Sequence, residues 1–182
     1  MITSSQKSNA QLRAAGMMRE AGIVIRDDEI PRIEVVDFGL GHLEVEGVQV
    51  FTMANTDRVA AKVLVLFLDQ TEPQHWHPRV GNDLGKQEII RHIWGDLRFY
   101  VDGDDNMARG FIVEGKEKYY SLRHEIALQP GDQLIFEPFE KHWFQAGPRG
   151  AVLYSFSTTV MDAHDGFTDP AVQRLTIVKE DE

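Results

Sequence analysis

The sequence predicts an all-β domain, a barrel or sandwich, with one helix ahead of it. Three observations carry that reading. Short apolar stretches with period two recur from residue 33 to residue 157. Gly, Pro and Asp turn signals separate them at near-even spacing. Before them lies a single stretch with helical spacing.

Residues 1–8 are polar and read as frayed. From Asn9 to Gly22, Leu12, Ala15, Met18 and Ile23 recur at roughly helical intervals, with Ser8 or Asn9 as cap and Gly22 as the stop. Pro31 separates this helix from the β region. Ile33, Val35 and Asp37 open the first strand. Segments 43–45 and 48–52 flank Glu46-Gly47 as a hairpin. Residues 61–68, AKVLVLFL in its run, are continuously apolar and read as a strand covered on both faces. Strands follow at 75–77, 87–94, 96–101, 111–113, 125–128, 133–136, 143–146 and 151–157, with a last one at 175–178. Turns are expected at Gly95-Asp96, in DGDDN (102–106), at Pro130-Gly131-Asp132 and at GPRG (147–150). The DGDDN cluster lacks the spacing of a calcium loop. The stretch 161–170 is aspartate-rich and irregular. No repeat or linker is visible, so residues 1–30 form a helical extension and 31–182 one barrel domain.

Composition excludes several classes. The 182 residues suffice for a full core in one domain. A net charge of −10 without a basic run argues against nucleic acid. There are no cysteines, which removes disulfides and thiolate metal sites and suits a cytoplasmic protein. The first 16 residues have no apolar core of a secretory signal, and the longest apolar run, 63–68, cannot span a membrane.

The chemistry centres on PQHWHPRVGNDLGKQEIIRHIWG, residues 73–95. Positions i and i+2 of a strand share a face, so His75 and His77 can aim at one point, as can Lys86 and Glu88. Imidazoles and a carboxylate form a ligand set for a divalent metal. The bland reading, that each histidine is a satisfied core or surface residue, leaves too many buried polar groups without partners. His142 lies 54 residues after Glu88, beyond a turn, a strand and a proline bend that return the chain across a barrel; it is expected as the fourth ligand. His92 shares the parity of Glu88 but belongs to the core or around the site, and His42, His124 and His164 are not expected as ligands. Lys86 is either a solvated loop lysine or, with its pKa lowered by burial and a neighbouring cation, a proton carrier. Trp76, Trp94, Trp143, Phe144 and Tyr154 read mainly as core. Phe144 shares the parity of His142 and should face the pocket; Trp143 should face away.

Together, HxH, Glu88, Gly95, the PGD turn and His142 resemble the two metal-binding motifs of the cupin superfamily. The ten-residue gap between His77 and Glu88, in HWHPRVGNDLGKQE followed by WGDLRFYVDG, resembles the D-lyxose ketol-isomerase family. GAVLYSFST and DAHDGFTDPAVQR near the C-terminus are similar to that family as well, so the likeness covers roughly 30–180. It implies a cupin (double-stranded β-helix, jelly-roll) barrel, aldose–ketose interconversion of lyxose and xylulose or mannose and fructose, and a divalent metal, usually Mn2+, with Fe2+, Co2+ and Zn2+ as alternatives. It places the metal on His75, His77, Glu88 and His142 and the catalytic lysine at Lys86. In one place the sequence departs. Family members tend to carry Ser-Glu-Phe-Ser, with the glutamate as second acid/base, where this chain has Tyr154-Ser155-Phe156-Ser157. Either Glu137, Asp162 or a water on the metal substitutes, or the chain does different chemistry.

The leading expectation is a metal-dependent sugar isomerase, with Lys86 moving a proton and Phe144, Asp162 and Arg174 binding the sugar. A homodimer is expected from exposed edge strands. Two other readings use the same ligands: an Fe(II) cupin dioxygenase, and a sugar-binding cupin without turnover.

Overall fold

A computed structural model describes residues 1–158 and 162–181. Thr159, Val160, Met161 and Glu182 lie outside the described residues, and with them one end of the irregular stretch expected from residue 161. Among the described residues the chain forms one α-helix, α1 (Ser4–Glu20), and eleven strands. These are β1 (Ile2–Thr3), β2 (Glu34–Val36), β3 (Val48–Asn55), β4 (Ala60–Leu66), β5 (Thr71–Trp76), β6 (Glu88–Val101), β7 (His124–Leu128), β8 (Gln133–Phe136), β9 (His142–Ser157), β10 (Gly166–Phe167) and β11 (Val178–Lys179). Strands β2 to β10 form one nine-stranded curled sheet, the cupin barrel that the resemblance implies.

Two long strands, β6 and β9, are its spine. They run antiparallel from Glu88↔Ser157 to Tyr100↔Trp143. The first half of β9 also pairs with β5, and its second half with β4. Strand β6 bonds β8 near its start and β7 near its end. One strand thus serves both layers of the barrel, and its two ends return to the same interior.

The sequence divides each spine strand in two at its glycines, and the structure corrects this. Gly95 is not a turn but a bulge in β6, with φ +91. A Cβ there would meet the carbonyl oxygen of Gly150 at 2.1 Å, so glycine is needed for close approach of the two strands. Likewise 147–150 is the point where β9 passes from β5 to β4, with Pro148 and Arg149 exposed and free of the ladder.

Other boundaries move for local reasons. The helix begins at Ser4, not Asn9, because Thr3 and Gln6 form a capping box: Gln6 N–H donates to Thr3 Oγ1 (3.1 Å) and Thr3 N–H to Gln6 Oε1 (2.8 Å). Residues before it are not frayed, since β1 pairs in parallel with β11 and Ile2 is buried. No hairpin forms at Glu46-Gly47; residues 42–46 are a turn, and Gly47 N–H reaches Thr71 instead. Residues 111–113 are not a strand. They belong to a long irregular segment, 102–123, pinned by the Tyr120–Trp143–Tyr100 cluster.

Burial follows strand parity. On β4, Val63 and Val65 pack with Ala14, Ala15 and Met18 of α1, whereas Leu64 and Leu66 enter the barrel with Ile90, Leu97, Phe99 and Leu153. The run read as covered on both faces is so covered from Lys62 to Phe67, whereas Leu68, beyond the end of β4, is 53% exposed.

Candidate metal and proton-transfer site

Two strand ends deliver the imidazoles. His75 lies on β5, His77 one residue beyond it, and His142 opens β9 as the cross-strand partner of His75. All three are buried, at 3%, 1% and 0% exposure. One nitrogen from each lies within 4.8 Å of the other two. His75 Nδ1 contacts Pro73 O at 2.8 Å and His142 Nδ1 contacts Glu140 O at 3.0 Å, which leaves the Nε2 of each to face the centre. His142 Nε2 and both ring nitrogens of His77 are buried without a hydrogen-bond partner. Burial pushes His75 down to about 4 and His77 to about 3, and holds His142 well below the usual histidine range. The neutral form is the one that ligates a metal.

Glu88 joins them from the start of β6, with Oε2 3.4 Å from His77 Nε2. Ser155 Oγ donates a very short hydrogen bond to its other oxygen. Burial raises the carboxyl, but Lys86 and His77 outweigh it, and the net shift is downward.

Lys86 precedes β6 in a loop, not a strand. Gly85, at φ +108, packs against the carbonyl of His77, where a Cβ would stand 2.7 Å from the oxygen. That contact folds the loop back and buries Lys86 beside Glu88 (3.9 Å), Asp162 (3.1 Å) and Asp165 (3.6 Å). Burial disfavours the ammonium, but these three carboxylates override it and raise the pKa, opposite to the lowering expected from sequence. Lys86 is a held cation.

The remaining expected residues are brought to the same cleft. Phe144 lines it, 6.4 Å ring to ring from His75. Asp162 is gripped by Lys62, Lys86 and Arg174, and these cations hold its pKa below the usual carboxylate range against the pull of burial. Arg174 is clamped by both oxygens of Glu34 at 2.7 and 3.1 Å and reaches Asp162 at 3.6 Å. Glu137, offered as a substitute base, is exposed outside the cleft and accepts from Gln87. His92 is core, both ring nitrogens facing backbone carbonyls. Trp143 faces away and stacks on Tyr100.

Three lining residues escaped the sequence reading: Lys62, Glu72 and Asp165. Lys62 was legible, since it shares the parity of the barrel-facing Leu64 and Leu66. Glu72 was hidden because it lies three residues before His75, which puts the two on opposite faces of a regular strand. A register shift between them turns both inward. Asp165 sits in an irregular stretch with no period to read. Burial, then the charge of Glu88, pushes Glu72 up to about 8; burial likewise lifts Asp165 to about 7 against the pull of Lys86.

Known proteins similar to this chain are sugar isomerases. The L-ribose isomerase of Cellulomonas parahominis, solved with L-ribose, superposes with a TM-score of 0.77 over 98% of both chains at 16% identity, a likeness of fold. The D-lyxose ketol-isomerase of Cohnella laeviribosi is 47% identical over 174 residues, 95% of this chain and 96% of that one. The D-lyxose/D-mannose isomerase of Thermosediminibacter oceani is 41% identical over 181 residues, 99% of this chain and all of that one. The D-lyxose isomerase family model matches residues 19–182. The chain belongs to the D-lyxose isomerase family.

Proposed function

We propose that this chain interconverts an aldose and its ketose, D-lyxose and D-xylulose first and D-mannose and D-fructose second, around a divalent metal held by His75, His77, His142 and Glu88. The observation that carries the metal is a set of bare nitrogens: three buried imidazoles converge beside a carboxylate, and His142 Nε2 and both ring nitrogens of His77 have no hydrogen-bond partner. Leaving such atoms unpaired costs about 1–3 kcal/mol each. Three imidazoles and one carboxylate suit Mn2+, with Fe2+, Co2+ and Zn2+ as the other candidates. When bound there, a divalent ion supplies Lewis-acid polarisation of the sugar's carbonyl and hydroxyl oxygens.

The chain's own residues do the rest. Isomerisation moves one proton between C1 and C2 and another between O1 and O2. The Lys86 ammonium, fixed by three carboxylates, is placed to donate to the oxygen that gains charge and to recover that proton from its neighbour. Phe144 gives the sugar an apolar wall, and Arg174 and Asp162 offer a donor and an acceptor to its distal hydroxyls. Burial of the cleft keeps bulk water from competing. A homodimer in the cytoplasm completes the proposal, open to light scattering and cell fractionation. No described helix is long and apolar enough to cross a membrane.

The test is an aldose and ketose panel on chelated protein and on protein reloaded with each metal, with dissolved oxygen followed in parallel. Ketose formation restored by Mn2+ without oxygen uptake is the expected result. Oxygen uptake with Fe2+ and no isomerisation refutes it in favour of a dioxygenase. Saturable sugar binding with no turnover refutes it in favour of a binding protein.

A further inference from the structure

We propose that Asp165 is the base that takes the proton from C2 of the aldose and returns it to C1, an assignment that rests on the isomerase reading above. Four carboxylates line the cleft: Glu72, Glu88, Asp162 and Asp165. Ser155, from the spine strand, offers only a hydroxyl, and it is committed to Glu88. Glu88 faces the imidazole centre. Asp162 is paired with Lys62, Lys86 and Arg174, so a proton on it would break three ion pairs. Lys86 stands among Glu88, Asp162 and Asp165, placed as the donor to the sugar oxygens rather than as the carbon base. Glu72 and Asp165 remain.

Position separates those two. Glu72 lies against the ring of His75, its Oε1 3.9 Å from Nε2, on the side of the cleft formed by β5. Asp165 lies 3.6 Å from the Lys86 ammonium, a separation too long for a committed hydrogen bond. The carbon base and the oxygen acid must stand side by side, because C2 is one bond from O2 and two from O1. Asp165 and Lys86 are such a pair. Asp165 is also fixed in place: its N–H donates to Asp162 O at 3.1 Å, and the next two residues, Gly166 and Phe167, pair with Trp76 and His75 on β5. The segment that carries the carboxylate is therefore tied to the strand that carries the imidazoles. Its pKa, lifted by burial to about 7, matches a group that must both accept and release a proton near neutrality.

The step balances. The Asp165 carboxylate takes the C2 proton, and the C2–H electron pair becomes the C1=C2 bond of the enediol. The carbonyl pair moves onto O1, which is protonated from Lys86. Loss of the O2 proton to Lys86 forms the C2 carbonyl, and the Asp165 carboxylic acid delivers its proton to C1. Both side chains end as they began.

The experiment uses full-length, metal-loaded protein. It compares the parent with Asp165→Asn, Asp165→Glu and Glu72→Gln on D-lyxose, with hydrogen exchange at C2 followed by NMR in D2O. A parent that turns over no aldose overturns the isomerase reading, and this assignment with it. Given an active parent, Asp165→Asn is expected to lower kcat and C2 exchange together by about 10²–10⁴-fold, with KM within about threefold and metal content unchanged. A kcat within about tenfold of the parent overturns the assignment, as does a comparable loss in Glu72→Gln with Asp165→Asn spared. Should Asp165→Asn lose metal or melt early, Asp165→Glu decides. Activity above the Asn variant supports a carboxylate base; none overturns it.

Discussion

Removing the metal should destabilise this protein by a calculable amount, and removing His77 should abolish that response rather than the fold. An ion that binds only the folded chain stabilises it by about 2.7 kcal/mol at a hundred times its dissociation constant. For a chain of this size each kcal/mol moves the melting temperature by about 2–4 °C. The metal-saturated protein should therefore melt about 5–11 °C above the chelated one. His77→Ala works on this difference. In the metal-free protein both His77 ring nitrogens are buried and unpartnered, so truncation relieves two groups worth about 1–3 kcal/mol each. It also opens a cavity, whose cost of about 2–5 kcal/mol offsets the relief. The metal-free variant should melt within a few degrees of the metal-free parent, and the rise on adding Mn2+ should disappear. Calorimetry with and without chelator, beside elemental analysis, measures both. A variant that keeps the full metal-dependent rise places the metal elsewhere. A variant that collapses without metal makes His77 a packing residue, and the bare nitrogens lose their meaning.

Three further outcomes follow from particular residues. In metal-free protein, stability should rise as pH falls from about 8 to 6.5, because Glu72 and Asp165 then take protons only when folded; it should fall from 6.5 to about 4, because His75, His77 and His142 take protons only when unfolded. A melting curve flat across both limbs refutes this. Lys116 bridges two buried carboxylates, Glu46 at 2.7 Å and Asp169 at 2.8 Å, so Lys116→Ala should cost about 3 kcal/mol and lower the melting temperature by roughly 6–12 °C; a loss under a degree would show the bridge to be idle. Ser155→Glu would press a second carboxylate against Glu88 from a position 1% exposed, so it should lower metal content and melting temperature together; faster isomerisation with full metal would reverse our view of that strand.

Much of the fold and most of the candidate site were legible in the sequence, and for the strand-borne residues the reason is periodicity. His75 and His77 share a face because a strand repeats every two residues, and the same rule put Phe144 in the cleft and Trp143 outside it. Lys62 obeys the rule too, sharing the barrel-facing parity of Leu64 and Leu66. Where the period breaks, legibility ends. The register shift between Glu72 and His75 inverts the parity of a site residue. Gly95 and Gly150 have the composition of turns, and only the close approach of β6 to β9 shows that they are bulges in continuous strands. The long segment 102–123 has no period at all; its place is set by Tyr120, whose hydroxyl donates to Glu46 at 2.5 Å, a partner 74 residues away.

The placement of charge explains how a serine at position 155 is compatible with proton transfer. A carboxylate on β9 would sit between Glu88 and Lys62, since Ser155 pairs with Lys62 in register and reaches Glu88 with its hydroxyl. In this chain Lys62 is instead neutralised by Asp162, which arrives from the segment after β9 and binds Lys86 and Arg174 as well. Two of the four cleft carboxylates, Asp162 and Asp165, are thus carried by the 162–169 segment, and Glu72 and Glu88 come from β5 and β6. That segment is anchored at β10 by pairing with His75 and at Asp169 by Lys116, so the side chains it presents are held to the imidazole strand and to the 102–123 segment at once. With these acids on an anchored loop, position 155 is left to steady Glu88, and one short stretch supplies both the anion that orders two lysines and the carboxylate proposed to carry the proton.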